Sequence, residues 1–171
     1  IFGSNNENEI LSKQLDETKE SRKQKNGTIK GIRRDANLAM SFVFSASPEF
    51  FFDFKKSKMN IDKWNSMDIS NSEKDKRKIA EVWKTLNEEK VKEFEKIVLE
   101  HMKEKHGKNL ISIDCHRDEK GIHYHALVSC RVETSKGKKL SAKEYYTRTT
   151  LAEWNADIRP RMKALGLEAK K

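Results

Sequence analysis

Hydrophobic and polar residues alternate along three segments of the chain, with the period of two that is typical of β-strands. The first segment covers residues 38–45, the second 110–117 and the third 122–132. The second and third are joined by a short loop that contains Gly121, so we expect them to pair as a hairpin. Each of these two strands has one apolar face and one largely polar face. The pattern therefore predicts an antiparallel sheet that buries one of its faces.

Longer stretches with apolar residues at every third or fourth position predict helices that cover this apolar face. The longest stretch is 72–106, where Asn87 is suited to cap a second helix and Gly107 to end it. Another covers about 149–165, with Pro160 bending or restarting the helix. The expected fold class is α+β, an antiparallel sheet with helices on one face.

Several shorter signals complete this prediction. A polar, solvated helix that ends in a loop is predicted within residues 5–26, and Ser47-Pro48 has the signal of a helix start. The sequence SAKE, residues 141–144, resembles a capping box and predicts another helix start. Residues 55–71 and the basic segment ETSKGKK, residues 133–139, are expected to be loops. The aromatic run FFF, residues 50–52, is expected to pack in the core rather than to stack on bases.

The charge balance indicates the kind of partner. The 171 residues include 36 Lys and Arg against 27 Asp and Glu, a formal net charge of +9, which favours an anionic partner such as nucleic acid or an acidic membrane surface. No apolar run is long enough to span a bilayer, and the start of the sequence has no signal-peptide pattern. The two cysteines do not form a disulfide framework, so we expect an intracellular, reducing location and two small core residues.

Three of the five histidines, His116, His123 and His125, lie within ten residues on the predicted hairpin. Its register places all three on the polar face, where opposed Cβ atoms lie about 5 Å apart and diagonal ones about 7–8 Å apart. A single strand histidine is usually a surface or hydrogen-bonded core residue, but the other face already supplies the core. Three imidazoles at this spacing can instead converge on one divalent ion. Nitrogen ligands favour Mn²⁺, Zn²⁺, Co²⁺ or Ni²⁺ over Mg²⁺, and an open coordination position would suit a phosphodiester.

The sequence around these histidines resembles a known family. His-hydrophobic-His on a strand, here HYH, is the signature of the HUH endonucleases, which nick single-stranded DNA. The blocks IRRDANLAMSFVFSASPEFF, EEKVKEFEKIVLEHMKEKHGKNLISI, CHRDEKGIHYHALVSC and GKKLSAKEYY are similar, in this order, to the plasmid mobilisation and recombination (Mob/Pre, MobV-type) relaxases. The family's metal motif, His-x-Asp-Glu-x-x-x-His-x-His, is matched by His116, Asp118, Glu119, His123 and His125.

The resemblance implies a function and a domain organisation. It implies site- and strand-specific nicking of single-stranded or hairpin DNA at a transfer origin, by transesterification with a divalent ion, most often Mn²⁺. It implies three metal ligands in His116, His123 and His125, and a catalytic role beside the ion for Glu119. Residues 29–171 would form the catalytic domain with an insertion near 55–85, after a polar N-terminal helix and linker in 1–28. A bacterial cytoplasmic location, with no membrane partner, is expected.

The sequence offers more than one interpretation of the attacking group. The family places it upstream of the basic patch, often as a histidine, but this chain has no histidine before His101. His101 and His106 are expected to be solvated helix residues, so the nucleophile would lie upstream of Ile1 or be missing. Tyr146, on a predicted helix after the metal motif, is the alternative nucleophile of a rolling-circle replication initiator, or else a core aromatic. A cleavage-deficient DNA-binding remnant is the third interpretation.

Four cations are candidates for contacts with DNA phosphates: Lys30, Arg33, Arg34 and Lys143. Arg33 is the strongest of them, because it matches the basic block of the family. The alternative for each is an ordinary solvated cation. An RNA- or membrane-binding module would also explain the charge but would leave the three histidines unexplained.

Overall fold

The computed structural model describes residues 7–20, 26–28, 31–68, 70–117 and 120–167. Its elements, in chain order, are α1 (Glu7–Glu20), β1 (Ala39–Ser45), α2 (Pro48–Phe51), α3 (Ile61–Ser66), α4 (Glu73–Trp83), α5 (Glu88–His106), β2 (Leu110–His116), β3 (His123–Ser129), β4 (Arg131–Thr134), β5 (Gly137–Leu140), α6 (Ala142–Tyr145) and α7 (Arg148–Ala164). This mixture of helices and antiparallel strands confirms the predicted α+β class.

The central sheet has three antiparallel strands in the order β1-β3-β2. The hairpin of β2 and β3 is the one that the alternation predicts, and β1 pairs with the other side of β3. Tyr124, Ala126 and Val128 of β3 are almost completely buried. They belong to one core cluster with Phe94, Val98 and Met102 of α5. The apolar face of the sheet is therefore covered by a helix, as expected.

Several helix boundaries lie where the sequence places them. The Asn87 side chain accepts hydrogen bonds from the backbone N–H groups of Glu89 and Lys90, so that α4 and α5 are separate helices. Gly107 ends α5 with a φ of 48°, a backbone conformation that favours glycine. Helix α7 continues through Pro160 rather than restarting there.

The segment predicted to be a loop at 55–71 contains α3, so that prediction is wrong in part. The helix has only six residues, too few to show a helical period, but Asn60 caps it by accepting from the Lys63 N–H. It carries Trp64, which is 1% exposed and packs edge-on against Phe54. The residues FFF at 50–52 are also buried, which confirms their predicted place in the core.

The third predicted strand ends earlier than expected, and the basic segment after it is not a loop. Strand β3 ends at Ser129, and β4 pairs with β5 in a separate two-stranded sheet whose turn is closed by Gly137, with a φ of 111°. Cys130 lies between the two sheets: its N–H donates to the Leu38 carbonyl, and its own carbonyl accepts from the Ser141 N–H. Because most side chains of this hairpin are polar, no alternation marked it as a pair of strands.

Helix α1 forms as predicted but is not fully solvated. Gln14 and Thr18 are buried, and the Gln14 side-chain amide donates to the Lys108 carbonyl at 2.7 Å. Glu17 forms ion pairs at 2.8 Å with Arg131, which is 4% exposed, and with Lys138. The helix is thus attached to the β4–β5 hairpin. In the described ranges, no helix combines the length and the apolar character needed to cross a bilayer.

Candidate metal centre

The β2–β3 hairpin brings His116, His123 and His125 together on one face of the sheet. His116 is the direct cross-strand partner of His123, and Asp114 is the partner of His125. The ring centroid of His116 lies 5.0 Å from that of His123 and 4.5 Å from that of His125. The centroids of His123 and His125 are 5.0 Å apart. One nitrogen from each ring lies within 4.8 Å of the other two. The register therefore places the three imidazoles as the sequence pattern predicts.

The period of two along each strand explains why these rings stay outside the core. Tyr124, between His123 and His125, is 1% exposed on the opposite face. All three histidines are half-buried. On the neighbouring strand, Val43 pairs with His125 and is 59% exposed. The surface beside the imidazoles is therefore open, with room for a ligand from solution.

The donor set fits a divalent transition-metal ion. Neutral imidazole nitrogens bind such ions at about 2.0–2.1 Å, so three nitrogens on one ion lie at most about 4.2 Å apart. Separations of up to 4.8 Å need only small rotations of the rings to reach this range. Among the described residues, this is the one group of three or more His, Cys, Asp or Glu with such convergence. The three histidines could therefore hold an ion and leave further positions to water or substrate.

Lys30, Asp118 and Glu119 lie outside the described residues. The catalytic role of Glu119 and the DNA contact of Lys30 therefore stay predictions. The flanking residues Arg117 and Lys120 are placed; Arg117 pairs with Glu88 at 3.1 Å, and Lys120 donates to the Asn65 carbonyl.

Tyr146 lies on the other face of the sheet from the three histidines. It follows α6 rather than lying within a helix, because α6 ends at Tyr145 and α7 begins at Arg148. Its ring packs against Phe42, at 5.5 Å between centroids, and against Trp154, and its hydroxyl lies 3.4 Å from the Val128 carbonyl. Burial raises the pKa of this phenol well above its usual range. These contacts are those of a partly buried packing aromatic on the face away from the three histidines.

His101 and His106 are buried, and the expectation that they are solvated is wrong. His101 is 3% exposed, and its Nδ1 lies 3.0 Å from an Asp157 carboxylate oxygen of α7. His106 is 6% exposed, with its Nδ1 3.1 Å from the Tyr145 hydroxyl, and burial lowers its pKa to about 4. Both lie on the side of α5 that packs against α7 and the sheet, a position that the helical period alone did not assign to them.

The predicted DNA contacts that the structure describes lie away from the histidines. Arg33 and Arg34 are exposed in the loop before β1, and Lys143 is exposed in α6. Arg33 and Lys143 line a common groove with Lys136, Lys138 and Lys139 of the β4–β5 hairpin. These three lysines were not among the predicted contacts, although the basic composition of ETSKGKK indicates a cationic segment.

Comparisons with known proteins add to this geometry. Residues 80–171, more than half of the chain, match the Mob_Pre family, plasmid recombination enzyme. A search of curated proteins gives no significant match. Among solved structures, the MobM relaxase domain (MOBV; Mob_Pre) bound to 26-nucleotide pMV158 oriT DNA is similar in fold, with a TM-score of 0.50 and 22% identity. That match covers 92% of this chain and 69% of the MobM chain. The family match includes all three histidines, and the chain belongs to the Mob_Pre family of plasmid recombination enzymes.

Proposed function

We propose that this protein is a metal-dependent relaxase that nicks one DNA strand at a plasmid transfer origin by transesterification. The observation that carries the proposal is the convergence of His116, His123 and His125 on the open face of the sheet in a member of this family. The DNA-bound state of the similar MobM structure supports DNA as the partner. The catalytic unit would be residues 29–171, with an insertion near 55–85, to which the N-terminal helix and linker in 1–28 are attached.

The three imidazoles would hold the ion through neutral ring nitrogens. A bound divalent ion would draw charge from a non-bridging oxygen of the scissile phosphate as the attacking group adds. Mn²⁺ is the proposed ion, with Zn²⁺, Co²⁺ and Ni²⁺ as alternatives, because nitrogen ligands suit all four better than Mg²⁺. We propose that Glu119, three residues after His116, orients a ligand or binds beside the ion. The residues of the sheet fix the imidazoles, so little reordering is needed when DNA arrives.

The attacking group loses its proton as it forms a bond to phosphorus, the bond from phosphorus to the leaving oxygen breaks, and that oxygen takes up a proton, so that the number of protons is unchanged. Tyr146 is disfavoured in this role because its phenol packs on the opposite face of the sheet among Phe42 and Trp154. A nucleophile must come within about 3–3.5 Å of phosphorus. To do so, Tyr146 would have to leave these aromatic contacts and pass to the other face of an intact sheet. The replication-initiator alternative requires that rearrangement.

A better position for an attacking group is the outer edge of β1. Among the described strands, none pairs with this edge. Ser45, at one end of β1, is the cross-strand partner of His123. A strand added there would lie two strand spacings from His123, about 10 Å, which a side chain and a bound phosphate can bridge. We therefore propose that a nucleophile from an additional strand, rather than Tyr146, attacks.

A cleavage assay tests the proposal. The chain, and a version extended at its N-terminus, would be incubated with Mn²⁺ and oligonucleotides from the plasmid's own transfer origin. We expect metal binding by both, and a covalent protein–DNA adduct that survives denaturation only with the extended version. His123→Ala in the extended version should abolish the adduct, whereas Tyr146→Phe should leave it unchanged.

Other outcomes would identify the alternatives. An adduct from the 171-residue chain that disappears with Tyr146→Phe would indicate a replication initiator. DNA and metal binding without any adduct from the extended version would indicate a cleavage-deficient remnant. Unchanged adduct formation after His123→Ala would contradict the metal role of the three histidines.

A further inference from the structure

A groove of about 670 Å³ lies between the loop before β1, the β4–β5 hairpin and the start of α6. Five cations line it: Arg33, Lys136, Lys138, Lys139 and Lys143. Arg33 lies more than a hundred positions before the four lysines, so only the fold brings it to them. Two acids, Asp35 and Glu144, also line the groove, which leaves an excess of positive charge.

The groove is built on hydrogen bonds of the backbone. The Cys130 N–H donates to the Leu38 carbonyl, which fixes the end of the loop that carries Arg33. The Cys130 carbonyl accepts from the Ser141 N–H at 2.9 Å, which fixes the start of the segment that carries Lys143. Cys130 itself is completely buried. The two walls of the groove are therefore held in place by one residue at the end of the central sheet.

The carboxylates in and around the groove are replaceable partners. Arg33 pairs with Asp35 at 3.0 Å, and both side chains are more than 70% exposed. Lys139 pairs with Glu144 at 2.7 Å, also at the surface. Exposed ion pairs of this kind contribute little to stability, because solvent screens them and both side chains lose conformational freedom in forming them. An incoming phosphate can therefore take the place of these carboxylates at small cost.

Lys136 and Lys143 are more directly available. Within the described part of the chain, neither has a carboxylate oxygen within ion-pair distance, and both are exposed. Lys136 lies at the turn of the β4–β5 hairpin, beside Gly137. Such a position allows a cation to extend toward a ligand without first breaking a contact.

The position of the groove relative to the histidines follows from the register of β1 and β3. Ala39 pairs with Ser129 at the groove end, and Ser45 pairs with His123 at the metal end. Six residue steps at about 3.3–3.4 Å separate these pairs, so the two sites lie at opposite ends of the sheet, about 20 Å apart. This distance equals the rise of about six base pairs of duplex DNA.

We infer that the groove binds the phosphodiester backbone of the DNA substrate at nucleotides about 20 Å from the scissile phosphate, an inference that rests on the proposed function of the metal centre. The lining contains no aromatic side chain that could stack on a base. Contacts from these cations to phosphates position the strand and carry no sequence information. The contribution of the groove is therefore independent of DNA sequence and sensitive to salt.

The test measures binding of a fluorescent oligo-dT to the full chain over a range of salt concentrations, with EDTA present so that no metal contributes. The groove variant is Lys136→Gln/Lys139→Gln/Lys143→Gln. The matched control, Lys74→Gln/Lys92→Gln/Lys96→Gln, removes the same charge from exposed positions of α4 and α5. Both sets are at the surface, and circular dichroism with a melting curve checks that each variant folds.

Loss of three phosphate contacts on single-stranded DNA should reduce the slope of log K against log salt by about 2, from about 0.7 per contact. The affinity at 0.1 M salt should fall by roughly 10- to 100-fold in the groove variant, with a much smaller change in the control. Equal losses in both variants would overturn the inference, since they would reflect net charge alone. Unchanged DNA binding in the groove variant would also overturn it, and a loss of binding to vesicles of anionic lipid would then assign the groove to a membrane surface.

The binding assay and the cleavage assay together separate this inference from the proposed function. Because EDTA removes any ion, the binding defect of the groove variant does not depend on the metal centre. A normal effect of the groove variant, combined with no adduct from any version of the chain, would contradict the nicking activity and leave the groove as a DNA-binding site.

Discussion

Replacing His123 with alanine is expected to remove almost all of the thermal stabilisation that a divalent ion gives this protein. An ion that binds only the folded chain, at a free concentration of about 100 times its Kd, adds about 2.7 kcal/mol to the free energy of unfolding. For a domain of this size, each kcal/mol raises Tm by about 2–4 °C, so the parent chain should gain about 5–11 °C.

The variant retains His116 and His125, whose rings are 4.5 Å apart. Loss of a residue that only supports a metal ligand typically weakens metal affinity by about 10- to 100-fold, so loss of a ligand should cost at least about 100-fold. At the same concentration the ion would then be near its Kd and add about 0.4 kcal/mol. The expected shift in Tm is about 1–2 °C.

Differential scanning calorimetry of metal-stripped protein, with and without Mn²⁺, measures these shifts, and titration calorimetry should give one site per chain. Val43→Ala is the matched control, because Val43 pairs with His125 on the same open face but offers no ligand atom. It should keep the full shift. An undiminished shift in His123→Ala, or the loss of the shift in Val43→Ala, would refute the assignment of the three histidines as the metal ligands.

Three further predictions follow from the site and its surroundings. Glu119→Gln should weaken Mn²⁺ binding by about 10- to 100-fold, less than His123→Ala, in the same calorimetric titration; no loss would remove Glu119 from the metal site. Arg33→Ala should weaken DNA binding and lower the salt slope by about 0.7 for single strands, and an unchanged slope would exclude a phosphate contact. Burial lowers the pKa of His106 from 6.5 to about 4, and also lowers that of His101, so the unfolded chain binds protons that the folded chain does not. The free energy of unfolding should therefore fall as pH decreases from about 6.5 to about 4, by at most about 1.4 kcal/mol per pH unit for each histidine; a pH series of melting curves that stays flat would contradict their neutral, buried state.

Local periodicity was sufficient to place the three histidines on one face. The period of two along 110–117 and 122–132 assigns His116, His123 and His125 to one face, because alternate side chains of a strand must point to opposite sides. The caps at Asn87 and Gly107 are equally local, since a side chain or a backbone angle within one turn decides them. These features could be predicted because their causes lie within a few residues of one another.

The remaining features depended on contacts between distant segments. His101 and His106 are buried because α7 and the aromatic side chains of β1 and α6 pack against them, and nothing in the period of α5 specifies those partners. The short hairpin of β4 and β5 has too few apolar residues to show alternation, so only its pairing reveals it. Arg33 and Lys143 face one groove because the backbone of Cys130 holds both of their segments at the end of the sheet. Which residues share the face of a strand is a property of the local backbone and can therefore be read from the sequence alone. Which helices bury the histidines, and which cations meet in the groove, depends on how distant segments pack and is visible only in the folded chain.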